Sequence, residues 1–276
     1  MKIALVTDST CDIPGDIARR LQIHIVPNVL IVEGQTIEDD ERFSRQDFYS
    51  RLPGMKATPT TATASSGKYS ALYQELLEAG FSQVLSIHCS RALSGIYNAA
   101  SLAAQPFAER VVVVDSQQVS LGLGFQVIEA GEAIAAGSKM DSVIRLLDRV
   151  RRRVRLIAML DTLEYIRRSG RVSWARASLG SLLNLKLFVE VKDGLVHRLG
   201  VARTRRKGIA RLLEIMQGLG PLKRLAVLHS NAEKDAWELL ERLSPRLPTE
   251  PLVVNVTTII GAHVGPNGLG FVAVKA

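Results

Sequence analysis

The chain has 276 residues, is 47% hydrophobic and 22% charged, and carries a formal net charge of +8. At this length folding buries roughly three quarters of the surface that the unfolded chain exposes, so neither disulfide nor metal staples are needed. The two cysteines, Cys11 and Cys89, lie far apart without metal-ligand spacing and read as reduced thiols. The start, MKIALVTDST, reaches polar residues too soon to hold the apolar region of a signal peptide. No apolar run approaches the roughly 20 residues that span a bilayer. These features predict a cytoplasmic protein without stable membrane insertion.

In chain order, Lys2 to Thr7 is a short apolar run that ends in Asp8-Ser9-Thr10, a buried strand opening into a polar loop. A helix from about Pro14 to Leu21 follows, with Asp12 as its candidate cap. Ile23 to Val32 reads as one strand with Pro27 near an edge or bend. Ser44 with Asp47 resembles a capping pair opening a helix towards Leu52. Thr58 to Gly67 is a hydroxyl-rich loop, and a helix runs from Lys68 to Ala79, closed by Gly80. Gln83 to His88 is a strand. The loop Cys89 to Leu93 then leads to Ser94-Gly95 and a helix, Ile96 to Ala104. Val111 to Val114 is a β-branched strand ending at Asp115-Ser116, and a helix rich in Ala and Gly extends from Gly122 to Ala136.

This alternation predicts an α/β fold, an N-terminal, mostly parallel, doubly wound sheet over residues 1–150. Ligands of such sheets bind at the carboxyl ends of the strands. The second half changes character. Short strand-like runs at Leu156 to Leu160, Leu187 to Val191, Leu195 to Leu199, Arg224 to Leu228, Leu252 to Val256 and Phe271 to Val274 include a pair flanking Lys192-Asp193-Gly194, a strong hairpin signal. Residues 151–276 are therefore expected to form an α+β domain. From Arg149 to Arg211 there are 17 basic and 4 acidic residues. Such a stretch is a solvated face, a nucleic-acid footprint or a docking surface for an acidic partner. Few aromatics interleave the arginines, which argues against nucleic acid.

No phosphate-binding loop is present, and no His/Cys/carboxylate cluster has zinc spacing. The glycines from Gly261 to Gly270 contain Pro266 and precede no helix pattern, so they make no dinucleotide fingerprint. What remains is a set of hydroxyls and one histidine. Ser94 stands before a helix, where it can cap backbone N–H groups or help them attract an anion. Thr61 lies in a hydroxyl-dense loop. His263 in a Gly-rich turn can donate to a carboxylate. Spacing alone does not assemble the three. Ser94 and His263 with Asp8 or Asp115 also supply the side-chain types of a hydrolase triad, although Ser94 lacks the Gly-x-Ser-x-Gly elbow.

Together these segments resemble the DegV family of bacterial fatty-acid-binding proteins, along nearly the whole chain. Thr7-Asp8-Ser9 resembles its opening strand and loop. Thr61-Ala-Thr-Ala-Ser65-Ser-Gly67 resembles its Thr-Ser-Gln-Pro-Ser-Pro-Gly loop, and Leu93-Ser94-Gly95-Ile96-Tyr97 its Leu-Ser-Gly-Thr-Tyr turn. Val112 to Ser116 and Leu121 to Gly124 match the strand and helix that follow. The most specific match is Leu160-Asp161-Thr162-Leu163-Glu164-Tyr165-Ile166-Arg167-Arg168-Ser169-Gly170-Arg171. Leu179 to Lys186, Ala202 to Lys207 and His263-Val-Gly265-Pro266 extend it. Departures are Ala62, Thr63, Ala64 and Ser66 for Ser, Gln and two prolines, Ile96 for threonine, Leu187 for proline and Asn267 for glycine.

The resemblance implies a long-chain fatty acid held between the two domains. Its carboxylate is gripped by Thr61, Ser94 and His263, without metal or other cofactor. It also implies a separate fatty acid kinase as partner, which makes the acyl-phosphate, so this chain would perform no chemistry itself. Arg203, Arg205 and Arg206 are candidate docking residues for that kinase. Ala99, Ala100, Ala103 and Ala104 are expected to leave room for the acyl tail. Each buried methylene contributes roughly 0.8 kcal/mol, so a chain of about 14 to 18 carbons supplies on the order of 10 kcal/mol before ordering costs.

Overall fold

Runs of β-branched residues build the first sheet. A computed structural model describes residues 2–176, 185–242 and 250–276. In it β1 (Ile3–Asp8) is followed by α1 (Gly15–Arg20) and β2 (Ile23–Val26). Pro27 and Asn28 then turn the chain out of this sheet. The segment expected as one strand is therefore two, because a proline cannot continue a ladder. β3 (Val29–Val32) joins β4 (Gln35–Glu38) and, after α2 (Arg45–Arg51), β5 (Thr60–Ala62) in a separate three-stranded antiparallel sheet. The expected Ser44 cap is present, its hydroxyl accepting the Asp47 N–H at 3.2 Å. Asp12 does not cap α1, which has Pro14 at its N-cap; its carboxylate is used elsewhere.

The parallel sheet is completed by α3 (Ser66–Glu78), β6 (Gln83–His88), α4 (Ile96–Ala104) and β7 (Val111–Asp115), with strand order β2-β1-β6-β7. Tyr73 of α3 reaches Ser86 on one face at 2.8 Å. On the other face α5 (Leu121–Ala135) packs so closely that a Cβ at Gly131 would stand 3.3 Å from Leu5. Helices thus cover both faces, as a doubly wound sheet requires.

After α6 (Met140–Arg153) the second sheet begins with β8 (Val154–Leu160). The short helices α7 (Glu164–Ser169) and α8 (Ser173–Arg176) precede the hairpin β9 (Lys186–Lys192) and β10 (Leu195–Ala202). Next come α9 (Arg205–Gln217), β11 (Leu222–His229), α10 (Glu233–Glu241), β12 (Leu252–Asn255), α11 (Thr258–Val264) and β13 (Leu269–Lys275). The strand order is β10-β9-β8-β13-β11-β12, antiparallel except for β11 and β12.

Period-2 alternation divides this sheet's two faces. Ile157, Met159, Phe188, Val227 and Phe271 bury one face under α9 and α10. Leu156, Val191, Leu228 and Val272 join the other face to the core of the first sheet. The halves are also tied by polar contacts. Glu129 of α5 accepts Lys223 Nζ at 2.6 Å and Arg224 Nε at 2.7 Å. Burial works against ionising Glu129, but those two bonds outweigh it and hold the carboxyl below its ordinary range. At the hairpin turn, Ser90 Oγ donates to Gly194 O at 2.8 Å and Gln118 Nε2 to Val191 O at 3.1 Å.

Candidate ligand-binding site

Helix α11 is built onto the first forty-nine residues. The Thr257 N–H donates to Asp12 Oδ1 at 2.7 Å, and the hydroxyls of Thr257 and Thr258 donate to the buried Asp39 carboxylate. Asp12 also accepts from Ser120 Oγ at 2.6 Å and pairs with Arg45 at 3.2 Å. Burial raises the Asp12 carboxyl to about 6 despite these partners. Tyr49 OH donates to Val256 O at 3.0 Å, and its ring presses on Gly261, where a Cβ would lie 2.4 Å from the hydroxyl. A side chain at 261 would push the helix away.

So anchored, α11 brings His263 to β5. His263 Nε2 lies 2.9 Å from Thr61 Oγ1. Thr61 stands opposite Leu30 in the three-stranded sheet, so its position follows from that register. Two of the three candidate headgroup residues therefore meet across 202 positions of sequence. The third, Ser94, accepts the Ile96 N–H at 3.4 Å. Its loop adjoins the Thr61 strand, since a Cβ at Gly95 would lie 3.7 Å from Thr63 Cγ2.

Burial, and then the positive charge of Arg171, push the His263 imidazole down from its ordinary 6.5 to about 4. It is neutral at pH 7, able to donate from one nitrogen and accept at the other. Arg171 is exposed and lies near enough to act on that ring. It was legible only as the last residue of the Leu160 to Arg171 match. Its approach to His263 is a product of packing.

A cavity of about 110 Å³ lies between the second sheet, α11 and the Val119-Ser120 segment; Val264, next to His263 in the chain, is on its wall, and Thr61, Ser94 and His263 are not. Leu156, Ala158, Leu160, Val191, Ile260 and Val264 are among its walls. Its two hydroxyls are engaged elsewhere, and His229 Nδ1 accepts the Ala232 N–H at 3.2 Å. Ser120 Oγ donates to Asp12, and Ser230 Oγ donates to Gly265 O and accepts from Gly268 N, both at 2.7 Å. The surface left is hydrocarbon, which suits an apolar guest and gives a polar one no partner. A larger groove of about 930 Å³ opens beside β2 and β12. Asp12, Asp39, Asp40 and Glu41 outnumber Arg19 and Arg45 along it, so its charge disfavours a carboxylate; Thr61, Ser94 and His263 line neither this groove nor the smaller cavity.

Several expectations meet the structure differently. Ala100, Ala103 and Ala104 are buried where α4 packs on α3 and β7, and neither they nor Ala99 line the cavity. Small residues there allow helices to approach. Arg205 bridges Asp161 and Asp235 and donates to Asn267 O at 2.7 Å, so it braces the turn that follows His263. Arg203 and Arg206 are exposed. Of the hydrolase triad, His263 bonds Thr61 and Ser94 bonds Ile96 N, with no Ser94–His263 hydrogen bond among the described residues. Asp8 bonds His88, and Asp115 bonds the Gln117 N–H. Both cysteines are free and buried, and burial pushes their thiols up. The Leu179 to Lys186 match falls at 179–184 outside the described residues.

The protein is thus of the mixed α/β class, with a parallel sheet and a second, largely antiparallel sheet. The sequence model described as "Uncharacterised protein, DegV family" matches residues 2–276, and the chain belongs to the DegV family. Protein DegV of Bacillus subtilis (strain 168) is 33% identical over 98% of both chains. Among solved structures, one described as fatty acid binding of a DegV family protein from Thermus thermophilus is 36% identical, covers 100% of each chain and has a TM-score of 0.93. That of DegV from Bacillus subtilis, described as a fatty acid binding protein, is 32% identical over 100% of each chain, with a TM-score of 0.88.

The mouth's geometry makes one position unusually intolerant. Gly265 has φ +78°, and a Cβ there would lie 2.2 Å from the Tyr165 ring. Gly265→Ala is expected to lower the free energy of unfolding by at least about 2 kcal/mol. Urea denaturation measures it; a change within about 0.5 kcal/mol contradicts the packing described.

Proposed function

We propose that this chain binds a long-chain fatty acid, its tail in the apolar cavity and its carboxylate at Thr61, Ser94 and His263. The observation that carries this reading is the 2.9 Å Thr61–His263 pair on the helix whose next residue, Val264, lines an apolar cavity. The Thermus and Bacillus relatives described as fatty-acid-binding support it. The cavity compares with an apolar cavity of about 150 Å³ that admits benzene. A full acyl chain therefore requires the gap between sheet and α11 to widen around it. The tail supplies affinity, while hydroxyl bonds to the charged carboxylate, about 1.5 to 3 kcal/mol each, fix which end faces out.

In this reading the chain does no chemistry. It works in the cytoplasm as a two-domain protein, divided near residues 150 and 151, and presents the bound acid to a separate fatty acid kinase. Arg203 and Arg206 would meet that partner, and Arg205 would hold the turn behind His263. The alternative, a serine hydrolase using Ser94 and His263, lacks the bond that would activate the serine.

Lipid extraction under denaturing conditions, followed by mass spectrometry, tests the reading directly. Wild-type protein should yield a stoichiometric fatty acid, and Thr61→Ala plus Ser94→Ala should yield little. A folded wild-type protein that neither carries nor takes up fatty acid ends the proposal. Ala158→Phe, on the cavity wall, should shift the extracted acids to shorter chains; an unchanged length distribution removes the cavity from the account.

Proton linkage gives an independent check. Between pH 4 and 6.5 the unfolded chain binds more protons at His263 than the folded one. The stabilisation from the neutral imidazole is therefore present above 6.5 and lost as pH falls through 4. A carboxylate arriving beside the ring favours its charged form, so binding should take up protons and tighten from about pH 8 to 6. Calorimetry in buffers of different ionisation enthalpy reads the uptake. It should vanish in His263→Gln, and equal uptake in that variant overturns the role.

A further inference from the structure

A carboxylate outside the mouth is bonded to the two segments that lead to it, the residue before β3 and the start of the Ser94 loop. Asp8 is wholly buried at the carboxyl end of β1. Its Oδ1 accepts the Thr10 N–H at 3.0 Å, the Thr10 hydroxyl at 2.5 Å and Asn28 Nδ2 at 3.3 Å. Its Oδ2 lies 3.0 Å from His88 Nδ1 and accepts the Cys89 N–H at 3.2 Å. Behind it the chain continues from His88 Nε2 to Ser86 Oγ at 2.7 Å and on to Tyr73 OH at 2.8 Å. Carboxylate, imidazole and hydroxyl stand in the order of a hydrolase relay, but Ser86 is fully buried and already bonded to Tyr73, so no substrate reaches it. Burial works against ionising Asp8; the bonds from His88, Thr10 and Cys89 outweigh it and hold the carboxyl below its ordinary range.

Two of these contacts lead to the mouth by short routes. Asn28 is the residue before β3, whose Leu30 is paired with Thr61. It is held twice more, by Ser9 Oγ at 3.2 Å to its N–H and 3.3 Å to its amide. Cys89 begins the loop that ends at Ser94, and within that loop Ser94 N donates to Ser90 O at 3.1 Å. A buried charge with several donors is rigid, because any displacement strips it of bonds that no water can replace. Groups that must meet a ligand within a fraction of an ångström need such support.

We infer that Asp8 is a positioning residue for the carboxylate site, fixing the spacing of the Thr61 strand and the Ser94 loop through its bonds to Asn28 and Cys89. This rests on the fatty-acid reading above and adds a residue that touches no ligand. The prediction concerns discrimination between headgroups, since the tail cavity lies on the other sheet and does not use Asp8.

The experiment compares a fatty acid with the fatty alcohol of the same chain length, titrated into delipidated wild type, Asp8→Asn and Asn28→Ala, each checked for folding by thermal unfolding. Asp8→Asn keeps the shape but replaces one carboxylate oxygen by a donor that faces N–H groups. Its affinity for the acid should fall about tenfold while that for the alcohol stays within about twofold. Asn28→Ala, which loosens only the Thr61 side, should lose about threefold of the preference for the acid, and it decides between the outcomes if Asp8→Asn does not fold. Equal losses for acid and alcohol, or an unchanged preference in both variants, overturn the inference and leave Asp8 as a stabiliser of the fold alone. A wild type that binds both ligands alike, or neither, overturns the fatty-acid reading itself, and the inference falls with it.

Discussion

The contact between two acidic side chains of the first forty residues and the start of α11 governs the geometry of the mouth. Asp12 and Asp39 occupy the N-terminal end of that helix, where unpaired N–H groups and the positive end of the dipole favour negative charge. Thr257 and Thr258 add hydroxyl donors, and Tyr49 closes the side. A seven-residue helix has little stability of its own. Its orientation is imposed from outside, and with it the place of His263 and of the two side chains, Ile260 and Val264, that line the cavity.

The mouth and the cavity differ in how their polar groups are treated. Around the cavity each hydroxyl is bonded to carbonyl, N–H or carboxylate, so the lining offers nothing to a polar guest. At the mouth a threonine hydroxyl and a neutral imidazole satisfy one another, and in the fatty-acid reading both exchange that bond for one to the carboxylate. In the fatty-acid reading the nearby Arg171 gives the anion a field to follow, and the proton taken up at His263 supplies the countercharge. In the proposed function, affinity and orientation thus rest on different atoms.

The strands of the first sheet were legible because they are continuous apolar runs that end in polar loops, and the hairpin because Asp193-Gly194 marks it. β4 and β5 were not, since Gln35–Glu38 and Thr60–Ala62 are short and polar and are strands only through pairing with β3. Pro27 hid a change of sheet inside what reads as one strand. Thr61, Ser94 and His263 were singled out through family resemblance, since residue type and order survive in short motifs; the contact between Thr61 and His263 is made by the fold. The nearness of Arg171 to His263, the brace that Arg205 makes to Asn267, and the wiring of Asp8 arise from packing between distant segments. No local pattern records them. The alanines of α4 pack against α3 and β7, and a small side chain reads the same in the sequence whether it faces a ligand or another helix.

The order of strands in the second sheet has a consequence for biosynthesis. β13 lies between β8 and β11, although it follows both in the chain. Until residues 269–275 emerge from the ribosome, β8 with its hairpin partners and β11 with β12 are two fragments with bare inner edges. The first sheet, by contrast, is complete once Asp115 has been made. The sheet that walls the cavity is therefore closed last, by the strand that lies between β8 and β11. During synthesis the exposed edges of β8 and β11 are the surfaces that a chaperone, or a neighbouring nascent chain, would meet.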